Sequence, residues 1–331
     1  MRFWAVKLLF LVGTAAAADR LPGYGADVAS FTVSGVSSGG YMAVQMQVAH
    51  SSRVTGVGAL AAGPYYCAQG SLWTAMHHCM TPGGWTPLPS MQTLKGHTDR
   101  LARERLIDAT GNLGKARVWL FSGTRDRTVE PAVVDALARF YALFNTKPVF
   151  VKDKPAGHAM VTEHTGAACS ASEPPFINDC DYDAAGELLR HLLGTLVPRA
   201  AKPGGRLLVF DQNDFANAKA ISMAEAGYLY VPRGCETERC SVHVAFHGCR
   251  QGVEAIGERF VRDAGYNPWA DTNRLIVLYP QVIARYVWWT FNPRGCWDWW
   301  GYTDTRFATK EGAQMRAVLG MVERLAGSRS R

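Results

Sequence analysis

The sequence lacks several patterns that identify common protein classes. After residue 18, no stretch is long and apolar enough to span a membrane. There is no phosphate-binding loop, no dinucleotide-binding glycine pattern, no internal repeat and no CxxC pair. A zinc site at Cys79 with His77 and His78 is the one metal alternative, and the missing CxxC spacing argues against it. We therefore expect neither a metal nor a cofactor.

Blocks of like charge are also missing, although the chain is basic. Its 35 Lys and Arg residues outnumber its 28 Asp and Glu residues, which gives a formal net charge of +7. The basic residues are scattered along the chain, apart from Arg329 and Arg331 near the end. A dedicated nucleic-acid surface would gather them on one segment or face, so we expect no nucleic-acid partner.

The first 18 residues resemble a secretory signal peptide. Arg2 and Lys7 supply positive charge, an apolar run follows, and residues 16–18 supply small side chains for cleavage. A buried N-terminal strand is the alternative. We expect secretion, into the periplasm or outside the cell, and a monomer with one catalytic domain over residues 19–331.

Eight cysteines in an exported chain predict disulfides. Three pairs are close in sequence, and the fourth contains the two cysteines that remain. Spacing alone does not fix the connectivity. The pairs favoured on this basis are Cys67–Cys79, Cys169–Cys180, Cys235–Cys240 and Cys249–Cys296.

Short apolar or β-branched segments alternate with segments of helical periodicity. The predicted strands are 30–36, 54–61, 118–122, 149–152, 207–210, 228–231, 242–246 and 275–279. The predicted helices are 39–50, 130–144, 183–193, 253–264 and 308–325. This alternation predicts an α/β fold with a mostly parallel central sheet and helices on both faces. The break at 198–205 is compatible with a domain linker or with a connection inside one domain.

A turn rich in glycine and serine follows the first predicted strand. Residues 35–39 match G-x-S-x-G with Ser37 at the centre. Between a strand and a helix, this motif is typical of a nucleophile elbow, which raises the serine hydroxyl above the sheet. The N–H of Ser38 would then face the developing oxyanion. A glycine-rich turn without a catalytic role is the alternative, so the motif needs partners.

Candidate partners follow in the order that α/β-hydrolases use, which is serine, acid and histidine. Asp126 comes after the strand at 118–122, and His158 lies in the loop after 149–152. His164 and Asp153 are alternatives. His164 lies deeper in a segment compatible with a helix, and Asp153 lies too close to the end of its own strand.

A second oxyanion donor is expected from a histidine–glycine loop, which α/β-hydrolases place upstream of the elbow. Only a short segment precedes Ser37, but "VHVAFHGCRQG" occurs about two hundred residues later, with the strand at 242–246 followed by His247, Gly248 and Cys249. If this loop supplies the donor, the first strands of the fold lie in the C-terminal half. The predicted fold is therefore a circularly permuted α/β-hydrolase.

Several segments together resemble secreted, single-domain, circularly permuted polyhydroxybutyrate (PHB) depolymerases and their bacterial relatives. They are "SGVSSGGYMA", "SGTRDRTV", "AGHAM", "FDQNDF", "FHGCRQG", "YNPWADTNRLIVLYPQ" and "NPRGCWDWWGY". The resemblance implies a serine esterase with Ser37 as nucleophile, His158 as general base and Asp126 as its partner. It implies an oxyanion hole formed by the Ser38 and Cys249 amides.

The same resemblance implies that Asn292 and Trp297 line a substrate crevice, with the Cys249–Cys296 disulfide holding the hole loop against it. Five tryptophans lie close together in the sequence, at 288, 289, 297, 299 and 300. We expect part of this set to pack in the core and the rest to form an apolar wall, with Tyr65 and Tyr66 facing it. The predicted partner is a polyester or oligoester. A carbohydrate esterase and a non-catalytic polymer-binding protein are the alternative functions.

Overall fold

The structure is a computed structural model, and it describes residues 18–288 and 290–329. The predicted signal segment falls almost wholly outside the described residues, as do Trp289 and Arg331. No helix within the described ranges is long and apolar enough to cross a membrane.

Thirteen strands and nine α-helices form in the described residues. The strands are β1 (Asp27–Val36), β2 (Val54–Leu60), β3 (Arg117–Phe121), β4 (Val149–Val151), β5 (Met160–Thr162), β6 (Ala167–Ala168), β7 (Ile177–Asp179), β8 (Arg206–Asp211), β9 (Ala226–Val231), β10 (Ser241–Phe246), β11 (Leu275–Tyr279), β12 (Arg285–Val287) and β13 (Thr290–Asn292). The helices are α1 (Ser38–Ala49), α2 (Leu72–His78), α3 (Met91–Arg103), α4 (Pro131–Ala142), α5 (Ala184–Leu193), α6 (Val253–Ile256), α7 (Arg259–Asp263), α8 (Tyr266–Thr272) and α9 (Ala313–Leu325).

Eight strands form one sheet in the order β4-β3-β2-β1-β10-β11-β9-β8. The six strands from β4 to β11 are parallel, and β9 and β8 are antiparallel to their neighbours. If the strands are counted from β8 to β11 and then from β1 to β4, the spatial order becomes 1-2-4-3-5-6-7-8, which is the order of an α/β-hydrolase sheet. The prediction of a permuted α/β-hydrolase fold is confirmed.

The sheet separates two hydrophobic clusters, as the period of a strand requires. In β3, Val118 and Leu120 belong to one cluster, while Trp119 and Phe121 belong to the other. Buried side chains of α1, α4 and α9 join the first cluster, and those of α5 and α8 join the second. Helices therefore cover both faces, and the loops at the carboxyl edge of the parallel strands remain for a site.

Two smaller sheets lie outside the main one. β12 and β13 form a hairpin, and β5, β7 and β6 form a parallel three-stranded sheet. The three-stranded sheet follows the loop of His158 directly. The segment 198–205 connects α5 to the edge strand β8 of the main sheet.

Candidate active site

Ser37 occupies a sharp turn between β1 and α1. Its φ of 57° and ψ of −127° are unfavourable for a residue with a side chain. Hydrogen bonds hold the turn on both sides, because the Ser37 N–H donates to Leu60 O at 2.9 Å and the Tyr41 N–H donates to Ser37 O at 3.0 Å. Such strain persists where the surroundings fix it, and it is common at active sites. This geometry is that of a nucleophile elbow.

The glycines around Ser37 are required by close backbone approach. A Cβ on Gly35 would overlap the carbonyl oxygen of Gly39, so the turn could not close. A Cβ on Gly39 would overlap the carbonyl oxygens of Phe246 and His247 at the end of β10. The second contact brings the start of α1 against the histidine–glycine loop, although the two lie about two hundred residues apart in the chain.

Asp126 and His158 form a buried pair. His158 Nδ1 lies 2.8 Å from Asp126 Oδ2, and the side chains are 9% and 1% exposed. The other carboxylate oxygen, Oδ1, accepts the N–H groups of Thr128 at 2.8 Å and Val129 at 2.9 Å. A carboxylate can only accept, so the imidazole donates through Nδ1 and keeps Nε2 as its basic nitrogen. This arrangement suits a general base.

The loops that carry this pair are joined by backbone hydrogen bonds. The Arg125 N–H donates to Ala156 O at 3.1 Å, and the Thr124 N–H donates to Lys154 O at 2.9 Å. Since β1, β3 and β4 run parallel, the residues that follow them meet at one edge of the sheet. Ser37, Asp126 and His158 therefore share that edge.

The alternative residues do not make this pair. The His164 side chain is 70% exposed and lies 3.8 Å from Glu163, and the Asp153 side chain is 77% exposed and lies 3.9 Å from Lys154. His164 also lies near Asp179 and Asp181 in an exposed group. Neither alternative contacts Asp126 or His158.

The loop after β10 lies directly beside the elbow. A Cβ on Gly248 would be 3.3 Å from Ser37 Cβ and 3.2 Å from Val36 O. The Gly248 N–H already donates to Gln251 Oε1 at 2.7 Å. Within the described ranges, the Cys249 N–H has no acceptor, and Ser38 is the first residue of α1, where N–H groups lack intrahelical acceptors. Among the described residues, both amides therefore keep unpaired N–H groups in the segments that adjoin Ser37.

Four disulfides form, and they link the three pairs that are close in sequence and the pair that remained: Cys67–Cys79, Cys169–Cys180, Cys235–Cys240 and Cys249–Cys296. Cys79 is thus not available as a zinc ligand. The Cys249–Cys296 bond ties the loop after β10 to the segment that follows β13, with the two Cα atoms 4.2 Å apart.

The three residues predicted to contact substrate are instead enclosed. Asn292 and Trp297 are 0% exposed, and Tyr65 is 1% exposed. The Asn292 amide donates to Cys296 O at 2.8 Å and accepts the Cys296 N–H at 2.9 Å, and the Tyr65 hydroxyl donates to Ala308 O at 2.5 Å. Their side chains have essentially no surface that a substrate could reach, so in this structure they do not line a crevice as the sequence predicted. They support the loops behind the site.

Trp297 packs edge-on against Phe246, with ring centroids 4.9 Å apart, and also contacts the His247 ring. Trp299 and Trp300 are buried as well, whereas Trp288 is 87% exposed. Tyr286 and Phe291 on the β12–β13 hairpin are 75% and 51% exposed. Exposed aromatic side chains therefore lie on and beside the hairpin, whose second strand precedes Cys296 in the chain.

A second serine–histidine contact lies inside the main sheet. His243 of β10 has its Nε2 2.7 Å from Ser34 Oγ and its Nδ1 2.7 Å from Thr32 Oγ1. The hydroxyl of Tyr266 also contacts Ser34, at 2.8 Å. His243 and Ser34 are 0% exposed, and burial lowers the pKa of His243 to about 3. This cluster is closed to substrate and is not the site.

Two further residues support the loops, and sequence reasoning missed both. Ser172 Oγ accepts the His158 N–H at 2.8 Å. Gln251 contacts the loop after β10 and also residues 175 and 176. Gln251 lies inside the quoted segment "FHGCRQG", which is the one signal that could have identified it.

Comparison with known proteins gives a consistent result, although no family model matches the chain. A poly(3-hydroxybutyrate) depolymerase of Delftia acidovorans is 43% identical over 97% of this chain, and the match spans 65% of that protein. A polyhydroxybutyrate depolymerase of Talaromyces funiculosus is 37% identical over 98% of both chains.

Two solved structures are also similar, each with a TM-score of 0.84 over 93% of this chain and 98% of the other. One is a serine-to-alanine variant of PHB depolymerase complexed with an R3HB trimer, and it is 36% identical. The other is PHB depolymerase from Penicillium funiculosum, at 35% identity. With an elbow serine, an aspartate–histidine pair and near full-length relatives, the chain belongs to the polyhydroxybutyrate depolymerase family.

Proposed function

We propose that this chain is a secreted serine hydrolase that cleaves the ester bonds of poly(3-hydroxybutyrate) and its oligomers through an acyl-enzyme. The observation that carries the proposal is the match over nearly the whole chain to a PHB depolymerase complexed with an R3HB trimer. The elbow at Ser37 and the pair of Asp126 with His158 supply the chemistry that such a reaction needs.

In the first half of the reaction, Ser37 Oγ attacks the ester carbonyl while His158 Nε2 accepts the hydroxyl proton. Asp126 holds the ring through Nδ1 and stabilises the imidazolium that forms. The carbonyl oxygen becomes an oxyanion and accepts from the N–H groups of Ser38 and Cys249. When the tetrahedral intermediate collapses, His158 returns the proton to the leaving alcohol, which is the hydroxyl end of the released segment.

In the second half, water attacks the acyl-enzyme. His158 Nε2 takes one proton from the water, and the same two amides hold the second oxyanion. Collapse of this intermediate breaks the bond to Ser37 Oγ, returns the proton to the serine and releases the carboxylate end of the polymer. Atoms balance with water as the only co-reactant.

The substrate proposal agrees with the apolar surface of the β12–β13 hairpin. Tyr286 and Phe291 offer exposed rings close in sequence to Cys296, which is bonded to the hole loop. An aliphatic polyester is a suitable partner for such rings. A carbohydrate ester would instead favour polar groups, and Asn292, the one polar residue predicted for the crevice, is buried in backbone hydrogen bonds.

Four disulfides indicate an oxidising compartment. We propose that residues 1–18 are removed on export and that residues 19–331 act as a single catalytic domain and a monomer. Mass measurement of the protein from a secreting host would test the cleavage position, and size-exclusion chromatography with light scattering would test the oligomeric state.

The decisive experiment compares the wild type with Ser37→Ala in two assays. The wild type should clear a poly(3-hydroxybutyrate) suspension and hydrolyse p-nitrophenyl butyrate. The variant should fold normally and lose on the order of a millionfold in turnover. A feruloyl-ester assay serves as the control for the rival esterase function. Near-normal turnover of Ser37→Ala, or turnover of the feruloyl ester alone, would overturn the proposal.

A further inference from the structure

Gln251 is a buried amide that joins the loop after β10 to the segment after the His158 loop. It is 2% exposed. Its Oε1 accepts the Gly248 N–H at 2.7 Å, while its Nε2 donates to Phe176 O at 2.7 Å and to Pro175 O at 3.3 Å. One side chain therefore bridges two loops that lie about 75 residues apart in the chain.

The orientation of the Cys249 N–H follows from the partners of Gly248. In a trans peptide, the carbonyl of one residue and the N–H of the next point in opposite directions. The Gly248 carbonyl accepts from the Gln251 N–H at 3.2 Å and lies 2.7 Å from His247 Nδ1. With Gly248 bonded through both its N–H and its carbonyl, the Cys249 N–H is fixed on the opposite side of the peptide. Gln251 makes two of these hydrogen bonds: its side-chain Oε1 accepts the Gly248 N–H, and its backbone N–H donates to Gly248 O.

The other end of Gln251 reaches the base. Phe176 O accepts the Gln251 amide and also the Met160 N–H at 2.8 Å. Met160 is two residues from His158 and begins β5. The loop after β10 and the segment that follows His158 are therefore linked through hydrogen bonds to the same oxygen, Phe176 O.

We propose that Gln251 is a positioning residue that sets the Cys249 N–H of the oxyanion hole relative to the His158 loop. It touches no substrate and acts through Gly248. The inference rests on the proposed function, because it assigns a role within the same reaction. A donor that is displaced from its position stabilises the transition state less while leaving ground-state binding intact.

The test is Gln251→Met, which keeps a long side chain of similar size and removes the side-chain hydrogen bonds. Complete loss of one oxyanion donor costs about 10²–10³ in kcat. A displaced donor should cost about tenfold to a hundredfold in kcat for p-nitrophenyl butyrate, with KM within about threefold. The affinity for butylboronic acid, which forms a tetrahedral adduct with an active-site serine, should fall by a similar factor.

The matched control is Gln212→Met. Gln212 is 1% exposed, its Nε2 donates to Ala224 O and Gln281 O at 2.8 and 3.0 Å, and its Oε1 accepts the Gln281 N–H at 3.0 Å. The control thus removes the same number and kind of side-chain hydrogen bonds, but Gln212 follows β8 and its side chain bonds neither Gly248 nor residues 175 and 176. Both variants should lose thermal stability, and only Gln251→Met should lose kcat and boronate affinity together. Equal kinetic losses in both variants would mean that Gln251 is merely structural and would overturn the proposal.

Gln251→Glu covers the case in which Gln251→Met does not fold. A carboxylate can still accept the Gly248 N–H but repels the Pro175 and Phe176 carbonyls, so kcat and boronate affinity should again fall together. Wild-type kinetics in this variant would refute the inference. Failure of the proposed function looks different, because the wild type itself would then show no turnover that depends on Ser37.

Discussion

Acid should destabilise this protein through His243, which is enclosed in the centre of the main sheet. The ring lies between the hydroxyls of Thr32 and Ser34, and each hydroxyl hydrogen-bonds one ring nitrogen. A neutral imidazole fits this arrangement, because one of its nitrogens donates and the other accepts. Burial lowers its pKa from 6.5 to about 3, and the chain has no carboxylate in hydrogen-bonding contact with the ring among the described residues. The folded state therefore resists protonation.

The magnitude follows from proton linkage. The unfolded chain binds a proton near pH 6.5 and the folded chain near pH 3, so between these values unfolding takes up about one proton at His243. The contribution of neutral His243 to the free energy of unfolding is complete above pH 6.5, and below that value it falls by about 1.4 kcal/mol per pH unit. About 3 kcal/mol of the free energy of unfolding should be lost from this residue between pH 7 and pH 4.

The measurement is urea unfolding of the wild type and of His243→Asn at pH 7, 6, 5 and 4, with the disulfides intact. His50 and His247, whose pKa values burial lowers to about 4, contribute in both proteins and cancel in the difference. The variant should be less stable than the wild type at pH 7. The difference between their free energies of unfolding should shrink by about 1.4 kcal/mol per pH unit below pH 6, because only the wild type carries His243. Parallel stability curves would refute this reasoning.

Three further predictions concern the site and its support. Trp297→Ala should lower the free energy of unfolding by about 3–5 kcal/mol, because the indole is fully buried, and it should reduce turnover of small and large esters alike. Selective loss on hydroxybutyrate oligomers with an unchanged melting temperature would restore the subsite role. Asp126→Asn should lower kcat on the order of 10⁴-fold at a nearly unchanged melting temperature, because an amide can hold the wrong tautomer of His158; a loss below tenfold would argue against the pair. Ser172→Ala should reduce kcat by up to about tenfold through the freed His158 N–H, with Ser172→Thr restoring it, and a failure of threonine to rescue would indicate a steric effect instead.

The sheet was predictable because its signal is local. Every predicted strand forms within three residues of its expected bounds, since a buried strand must be apolar or β-branched wherever its partners lie. The helical segment expected over 253–264 instead divides into α6 and α7, because Gly257 has a φ of 61° and ends the first of them. β5, β6 and β7 are two or three residues long and carry no detectable period.

The site was only partly predictable for a different reason. Local segments carried the elbow motif and the loops of Asp126 and His158, so the sequence could predict the strained turn at Ser37 and the pairing of Asp126 with His158. The direction in which a side chain points depends on tertiary packing, and a local sequence motif does not specify it. Trp297 adjoins Cys296 in sequence, yet its indole points into the core against Phe246. Gln251 has partners at 175 and 176, which only the folded chain brings together.

The permuted strand order has a consequence for how the enzyme is assembled. β1 lies between β2 and β10, so the strand that precedes Ser37 pairs with a strand made about two hundred residues later. A chain synthesised from its N-terminus therefore contains Ser37, Asp126 and His158 before the loop after β10 has been made. Pairings this distant in sequence form slowly and leave an apolar edge open meanwhile. The complete candidate site can therefore assemble only after the C-terminal half has been synthesised and β10 has paired with β1.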